Sequence, residues 1–156
     1  MGIDLAIRQA LRSECRFRVG AVVASRGRVF AAAPNKRRNS PTIDFRHSTF
    51  HAEEAALRRV ADASGREIYV ARVGASGTPM LARPCPRCLK LLASAGIARA
   101  YYTIGLGLIG MTVPGTTSSP PDDAIIEISA AARSGNPGSR HPLPAKDHHP
   151  YASVAG

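Results

Sequence analysis

Cysteine and acidic residues are scarce in this 156-residue chain, which has three Cys and 11 Asp and Glu against 21 Lys and Arg. So few cysteines exclude a disulfide framework and point to a reducing, cytoplasmic setting. Long hydrophobic runs are missing too. The longest apolar-rich stretch, residues 101–113, is cut by three glycines, far from the roughly 20 apolar residues a membrane helix needs. No membrane partner is expected. The N-terminus lacks the charged start, apolar core and small-residue cleavage site of a secretory signal, and there is no internal repeat. What remains is 44% hydrophobic and 21% charged, a balance that can bury a core and is not that of a disordered chain. The length suits one domain.

The net charge of +10 is unevenly spread. Residues 114–156 hold three basic side chains (Arg133, Arg140, Lys146) and four acidic ones (Asp122, Asp123, Glu127, Asp147), a net −1 that leaves +11 for residues 1–113. Eight basic residues (Arg16, Arg18, Arg26, Arg28, Lys36, Arg37, Arg38, Arg46) crowd into residues 16–46 beside one acid, Asp44. Such a field favours a phosphate-bearing partner. A merely solvated basic surface is the alternative.

Two short motifs carry the chemistry: His51-Ala52-Glu53 and Pro84-Cys85-Pro86-Arg87-Cys88. One histidine and two cysteines suffice to hold a catalytic zinc, whose fourth tetrahedral position stays open to water. Zinc in such a set lowers the pKa of water to about 7, and Glu53 is the candidate to shuttle the proton. On an ideal helix His51 and Glu53 would lie about 200° apart. They converge only at a helix start, where side chains tilt back over the N-terminal end. Cys85 and Cys88 are three residues apart, on one face of a first turn. Pro86 suits the first helical position, and the helix dipole favours the thiolates that zinc requires. Two helix starts are therefore expected to point at one metal.

C-x-x-C alone also occurs in redox pairs and structural zinc sites. A redox motif leaves His51-Ala52-Glu53 unexplained. A structural site needs another ligand, and the available donors (Cys15, His47, His141, His148, His149) stand at no standard spacing. H-x-E followed by P-C-x-x-C is the signature of the zinc nucleobase deaminases. The chain resembles the zinc-dependent cytidine/deoxycytidylate deaminase superfamily over residues 3–104. That resemblance implies Zn²⁺ bound by His51, Cys85 and Cys88, with Glu53 as the catalytic acid–base.

The pattern predicts a helix over 3–15, strands over 19–25 and 28–33 joined by a turn at Arg26-Gly27, and a basic loop over 35–50. A helix from His51 to about 63, a strand over 67–73, an extended approach over 80–83, a helix over 85–95 and a strand over 99–104 follow. This order predicts an α/β sheet between helices, with parallel strands joined by crossover helices. The resemblance implies the same: a three-layer α/β/α cytidine-deaminase-like fold with a mixed, about five-stranded sheet. Residues 105–113 are a glycine-weakened candidate for the fifth strand. The deaminase domain is expected over 1–113, a closing helix within 114–134, and a disordered tail over 135–156.

The resemblance also places Asn35, after the second strand, at the substrate's sugar, with Ala52 beside it. Lys36, Arg37 and Arg38 are then candidates to hold a 5′-phosphate or a polynucleotide backbone. Thr49 and Phe50, and more weakly Tyr101 and Tyr102, are candidates to line the base pocket. The expected reaction is hydrolytic deamination of cytosine in cytidine, deoxycytidine or a monophosphate. The alternatives are deamination of cytosine in single-stranded DNA or RNA, tRNA adenosine deamination, another ring aminohydrolase such as a riboflavin-pathway pyrimidine deaminase, and a non-catalytic zinc-stabilised nucleic-acid-binding protein. The Pro86-Arg87 insert departs from the tRNA-editing pattern. Superfamily members commonly assemble, so a homo-oligomer is expected, with 101–113 as a candidate interface.

Overall fold

The structure, a computed structural model, describes residues 2–37, 49–116 and 123–127. Helix α1 (Gly2–Leu11) leads into a hairpin of β1 (Arg18–Ser25) and β2 (Arg28–Pro34). Arg26 and Gly27 both have positive φ, at 47° and 78°, as the twist-matched two-residue hairpin turn requires. Two short strands, β3 (Lys36–Arg37) and β4 (Thr49–Phe50), pair with each other and bring the chain to helix α2 (Ala52–Leu57). There follow β5 (Glu67–Val73), β6 (Pro79–Met80), helix α3 (Pro86–Ser94), β7 (Arg99–Gly105), β8 (Leu108–Thr112) and β9 (Ala124–Glu127).

The main sheet has seven strands, ordered β2-β1-β5-β7-β8-β9, with β6 added beside β5. β5 and β7 run parallel and the other pairs antiparallel, so the sheet is mixed as expected and larger than five strands. The alternation of side chains along each strand divides the core. Ala21, Val23, Ile68, Val70, Ala100 and Tyr102 face Ala52 and Ala56 of α2 and Leu92 of α3. Val22, Ala24 and Ala71 face Ala6 of α1, with Tyr69 at the edge of that cluster. The sheet is the middle of three layers.

Several local expectations are corrected. α1 stops at Leu11 because Ser13 leaves the helical path. Its hydroxyl donates to Asn35 Oδ1 at 2.5 Å and accepts the Cys15 N–H at 3.2 Å. α2 ends at Leu57, where the bonds from Arg59 N–H to Ala56 and from Val60 N–H to Leu57 tighten the chain into a turn. The basic loop contains the β3–β4 ladder. Residues 124–127, expected in the closing helix, instead extend the sheet, pairing Ile125 and Ile126 with Gly110 and Ile109. The remainder of the expected closing helix and the tail over 135–156 lie outside the described residues. Among the described residues, no helix is long and apolar enough to cross a membrane.

The weak strand forms as β8 because its glycine is needed. A Cβ at Gly110 would collide with the Tyr102 ring, which crosses above it; a glycine inside a strand commonly marks such an approach. Gly20 is constrained still more firmly. A Cβ there would meet the Ala6 carbonyl oxygen and the Ala10 nitrogen of α1, and backbone cannot swing aside as a side chain can. Gly20→Ala is expected to lower stability by about 1–3 kcal/mol, read as a fall in the urea midpoint at unchanged slope.

Candidate active site

The three candidate donors come together at two helix starts. His51 occupies the N-cap of α2 and Cys85 that of α3, both with extended backbone (φ −65°, ψ 149° and φ −68°, ψ 163°). As caps they lie outside the helical wheel, which removes the angular conflict between His51 and Glu53. The His51 and Cys85 carbonyls accept the first helical bonds, from Ala55 and Leu89 at 3.0 and 2.9 Å. Pro86 occupies the start of α3, where its missing N–H is no loss. The Cys85 sulfur accepts the Cys88 N–H at 3.5 Å, serving as the helix cap.

His51 Nδ1 lies 3.7 Å from Cys85 Sγ and 3.3 Å from Cys88 Sγ, and the three donor atoms fall within 4.8 Å of one another. Zinc–nitrogen and zinc–sulfur bonds of about 2.1 and 2.3 Å at the tetrahedral angle put such donors about 3.6 Å apart. The set therefore fits zinc. Chemistry agrees with geometry. Burial pushes the Cys88 thiol well above its ordinary range, with the Glu53 charge and Cys85 adding to the rise. Zinc bound there would take the place of that proton, since the metal ligand is the thiolate.

Glu53 is 4% exposed and hydrogen-bonded to Cys88. Burial raises its pKa, while its own backbone N–H, His51 and Cys88 pull it back without cancelling the rise. A carboxyl held above its usual range suits proton transfer nearer neutrality. It opens on a cavity of about 290 Å³ whose lining includes Val19, Asn35, Thr49, His51, Ala52, Arg72, Arg83 and Cys85. That is at the small end of ligand sites, which run from about 300 to 1,000 Å³. A second cavity of about 460 Å³ adjoins it, sharing Phe17 and Arg72 and adding Cys15, Arg16 and Arg18.

Glu54, 9% exposed, ties the two metal helices together. It takes Arg87 of α3 at 2.8 Å and Arg58 of its own helix at 3.1 Å. The chain entering Cys85 is held by Thr103: its hydroxyl donates to the Met80 carbonyl at 2.6 Å, and its carbonyl accepts the Ala82 N–H at 2.8 Å.

The expected substrate contacts fare unevenly. Ala52 and Thr49 line the cavity. Asn35 also lines it, but its amide holds the fold together: Oδ1 accepts from Ser13 and from Val19 N–H, and Nδ2 donates to the Phe17 carbonyl at 2.7 Å. Lys36 and Arg37 are exposed on β3 and do not line the cavity, and Arg38 lies outside the described residues. Phe50 packs under Arg58, at 4.7 Å. The tyrosines are structural. Tyr101 stacks on Tyr69 with centroids 5.0 Å apart, on the α1 face, and buried Tyr102 bonds Asp123. Sequence reasoning missed Phe17, Arg72 and Arg83 in the lining. Arg72 had one signal, its place at the end of a strand that runs parallel to its neighbour.

The match to known proteins agrees with this geometry. Residues 2–104 match the family described as the cytidine and deoxycytidylate deaminase zinc-binding region. No curated protein sequence matches the chain. Among solved structures, dCMP deaminase from the cyanophage S-TIM5 in its apo form aligns with a TM-score of 0.52 and 27% identity, over 65% of this chain and 78% of that one. The same phage enzyme in complex with dCMP and dUMP gives 0.51 and 26%, over 64% and 76% of the two chains. A chain from a study of A-to-I editing by tRNA:A34 deaminases reaches only 0.44, at 27% identity over 65% and 72%, too loose a superposition to argue from. Cofactor and fold follow from the same match: the chain belongs to the cytidine and deoxycytidylate deaminase family, with zinc as its cofactor.

Proposed function

We propose that the protein hydrolyses the exocyclic C–N bond of a cytosine base, in a nucleoside or its 5′-monophosphate, giving uracil and ammonia. The observation that carries this reading is a buried carboxyl, Glu53, in the same small cavity as a His/Cys/Cys set. In this reading His51, Cys85 and Cys88 hold the zinc, which supplies a Lewis acid that makes water acidic enough to react near neutral pH. Glu53 takes a proton from the attacking water and delivers it to N3 of the ring. It then carries the second proton to the departing amino group, so that water adds and ammonia leaves in balance. Ala52, with no side chain beyond Cβ, leaves room for the ring beside Glu53. Burial raises the Glu53 pKa, which makes its carboxylate a better base toward water and lets it hold the proton it has taken until N3 receives it.

The adjoining cavity supports the monophosphate over the free nucleoside. Arg16, Arg18 and Arg72 surround it, and guanidinium groups suit phosphate recognition. The Arg18 guanidinium is steadied by the Gly74 and Ala75 carbonyls, and Arg72 bridges both cavities. The phage relative's complex with dCMP and dUMP supports the same substrate class. A polynucleotide substrate is the second reading. It is favoured by Phe17, an exposed ring between Arg16 and Arg72 at 5.6 and 4.9 Å, of the kind on which flanking bases stack. A cytoplasmic location is part of the same proposal: two of the three cysteines serve the zinc set and Cys15 is a buried thiol outside any disulfide, as suits a reducing compartment.

Three outcomes test these assignments. Glu53→Gln is expected to keep its zinc and lose about 10²- to 10⁴-fold in kcat, measured as ammonia released from dCMP. If wild-type protein turns over none of cytidine, deoxycytidine, their monophosphates or a cytosine oligonucleotide, the enzymatic reading fails. Cys88→Ala is expected to lose zinc by elemental analysis, and full metal content in that variant contradicts the ligand assignment. Arg72→Gln is expected to raise KM for dCMP about tenfold, the worth of one charge-assisted hydrogen bond, and to raise it less for deoxycytidine. Equal effects on both would remove Arg72 from the phosphate, and activity on the oligonucleotide alone would transfer the assignment to a polynucleotide.

A further inference from the structure

Strand β9 is peripheral: all four of its residues are exposed. Yet Asp123, immediately before it, has a side chain only 2% exposed. A buried carboxylate survives only if paired and hydrogen-bonded, and this one is tied to three separate elements. Arg83 grips it with two prongs, Nε to Oδ2 at 2.6 Å and Nη2 to Oδ1 at 3.3 Å. The hydroxyl of Tyr102 on β7 donates to Oδ2, and Thr112 on β8 also bonds the carboxylate. Burial alone would raise the Asp123 pKa, but Arg83, Tyr102 and Thr112 together hold it below the usual carboxylate range. The charge is present and matched.

Arg83 is the partner that matters to the site. It lines the substrate cavity and is separated from Cys85 by Pro84 alone, one of the most fully buried residues of the chain. A buried proline is a stiff link, so displacement of Arg83 is transmitted to Cys85. Asp123 also lies beyond residues 2–104, the span of the family match.

We propose that Asp123 is a positioning residue for the cysteine loop: by gripping Arg83 it fixes the approach of the chain to Cys85 and one wall of the substrate cavity. The proposal rests on the reading of Cys85 as a zinc ligand. Partners one step outside a metal's ligands typically change metal affinity or activity by about 10- to 100-fold. Asp123 acts two residues from the donor, so the low end of that range applies.

The test loads the full-length protein with zinc and follows its release to an excess of chromogenic chelator. Asp123→Asn keeps the size of the side chain and removes its charge, and Arg83→Gln removes the other partner. Each is expected to speed zinc release about tenfold and to lower kcat for dCMP more than it changes KM. The double variant is expected to be no worse than either single, because both break one interaction, and Asp123→Glu is expected to recover part of the loss. Gly20→Ala, destabilised on the opposite face of the sheet, sets the release rate that lower stability alone produces. Release from Asp123→Asn no faster than from Gly20→Ala overturns the proposal. Zinc lost from Cys85→Ala with that result overturns the proposal alone, whereas wild type that holds no zinc overturns the ligand reading and the proposal together.

Discussion

The parallel pairing of β5 with β7 is the constraint on which the site depends. It is the only parallel pair among the described strands, running from Glu67 opposite Arg99 to Val70 opposite Tyr102. Parallel neighbours need a crossover, usually a helix packed on one face, and α3 is that helix. Beyond Val70 the two strands separate, and β6 pairs with Arg72 and Val73 instead. Thr103 fills the junction, accepting the Arg72 N–H at 3.3 Å and donating to the Met80 carbonyl at 2.6 Å. The chain therefore reaches Cys85 at the carboxyl ends of parallel strands, the place where open α/β sheets form binding crevices.

The charges around the metal set are arranged so that each neutralises a specific neighbour. Two carboxylates follow His51 in sequence, and burying both would be costly unless each had a partner. Glu54 is matched by Arg58 and Arg87. Those arginines are 66% and 49% exposed in their side chains, so solvent screens their charge and each pair adds no more than about 1 kcal/mol. Their value is geometric: Arg87 sits between the two cysteines, and its bond to Glu54 fixes α3 against α2. Glu53 has His51 and Cys88 beside it, and both offset part of the rise that burial causes in its pKa.

Much of this was legible in the sequence because the relevant signals are local. The His51 and Pro84-Cys85-Pro86-Arg87-Cys88 motifs mark helix starts by composition alone, and both helices begin where the proline and the cap positions put them. The Arg26-Gly27 hairpin is likewise a two-residue signal. What escaped was set by contacts distant in sequence. The asparagine after β2 read as a sugar contact and does line the cavity, but its structural role went unseen: Ser13, Phe17 and Val19 occupy three of the four hydrogen-bonding positions of its amide. Tyr102 read as a pocket residue because nothing nearby reveals that Asp123 will receive its hydroxyl. β9 read as helix because Ile125 and Ile126 follow two aspartates that look like caps. Its strand character comes from the open edge of β8, which no local pattern announces.

The basic stretch is where the structure changes the argument most. As a sequence, residues 16–46 form one field of eight positive charges. In the fold the hairpin carries Arg26 and Arg28 away from Arg16 and Arg18, and Arg28 lies 5.2 Å from the Phe30 ring with Arg66 nearer at 3.5 Å. Those cations lie against an aromatic ring, and neither lines the two cavities. Lys36 and Arg37 lie outside the cavity lining, while Arg72, from outside the stretch, lies within it. Among the described residues, the basic side chains gathered at one cavity are therefore three arginines, Arg16, Arg18 and Arg72; Arg38 and Arg46 lie outside the described residues. A single phosphate needs one such cluster, whereas a polynucleotide backbone needs a track of them. The three arginines around one cavity match the first requirement, and this is the support for the monophosphate as the proposed substrate.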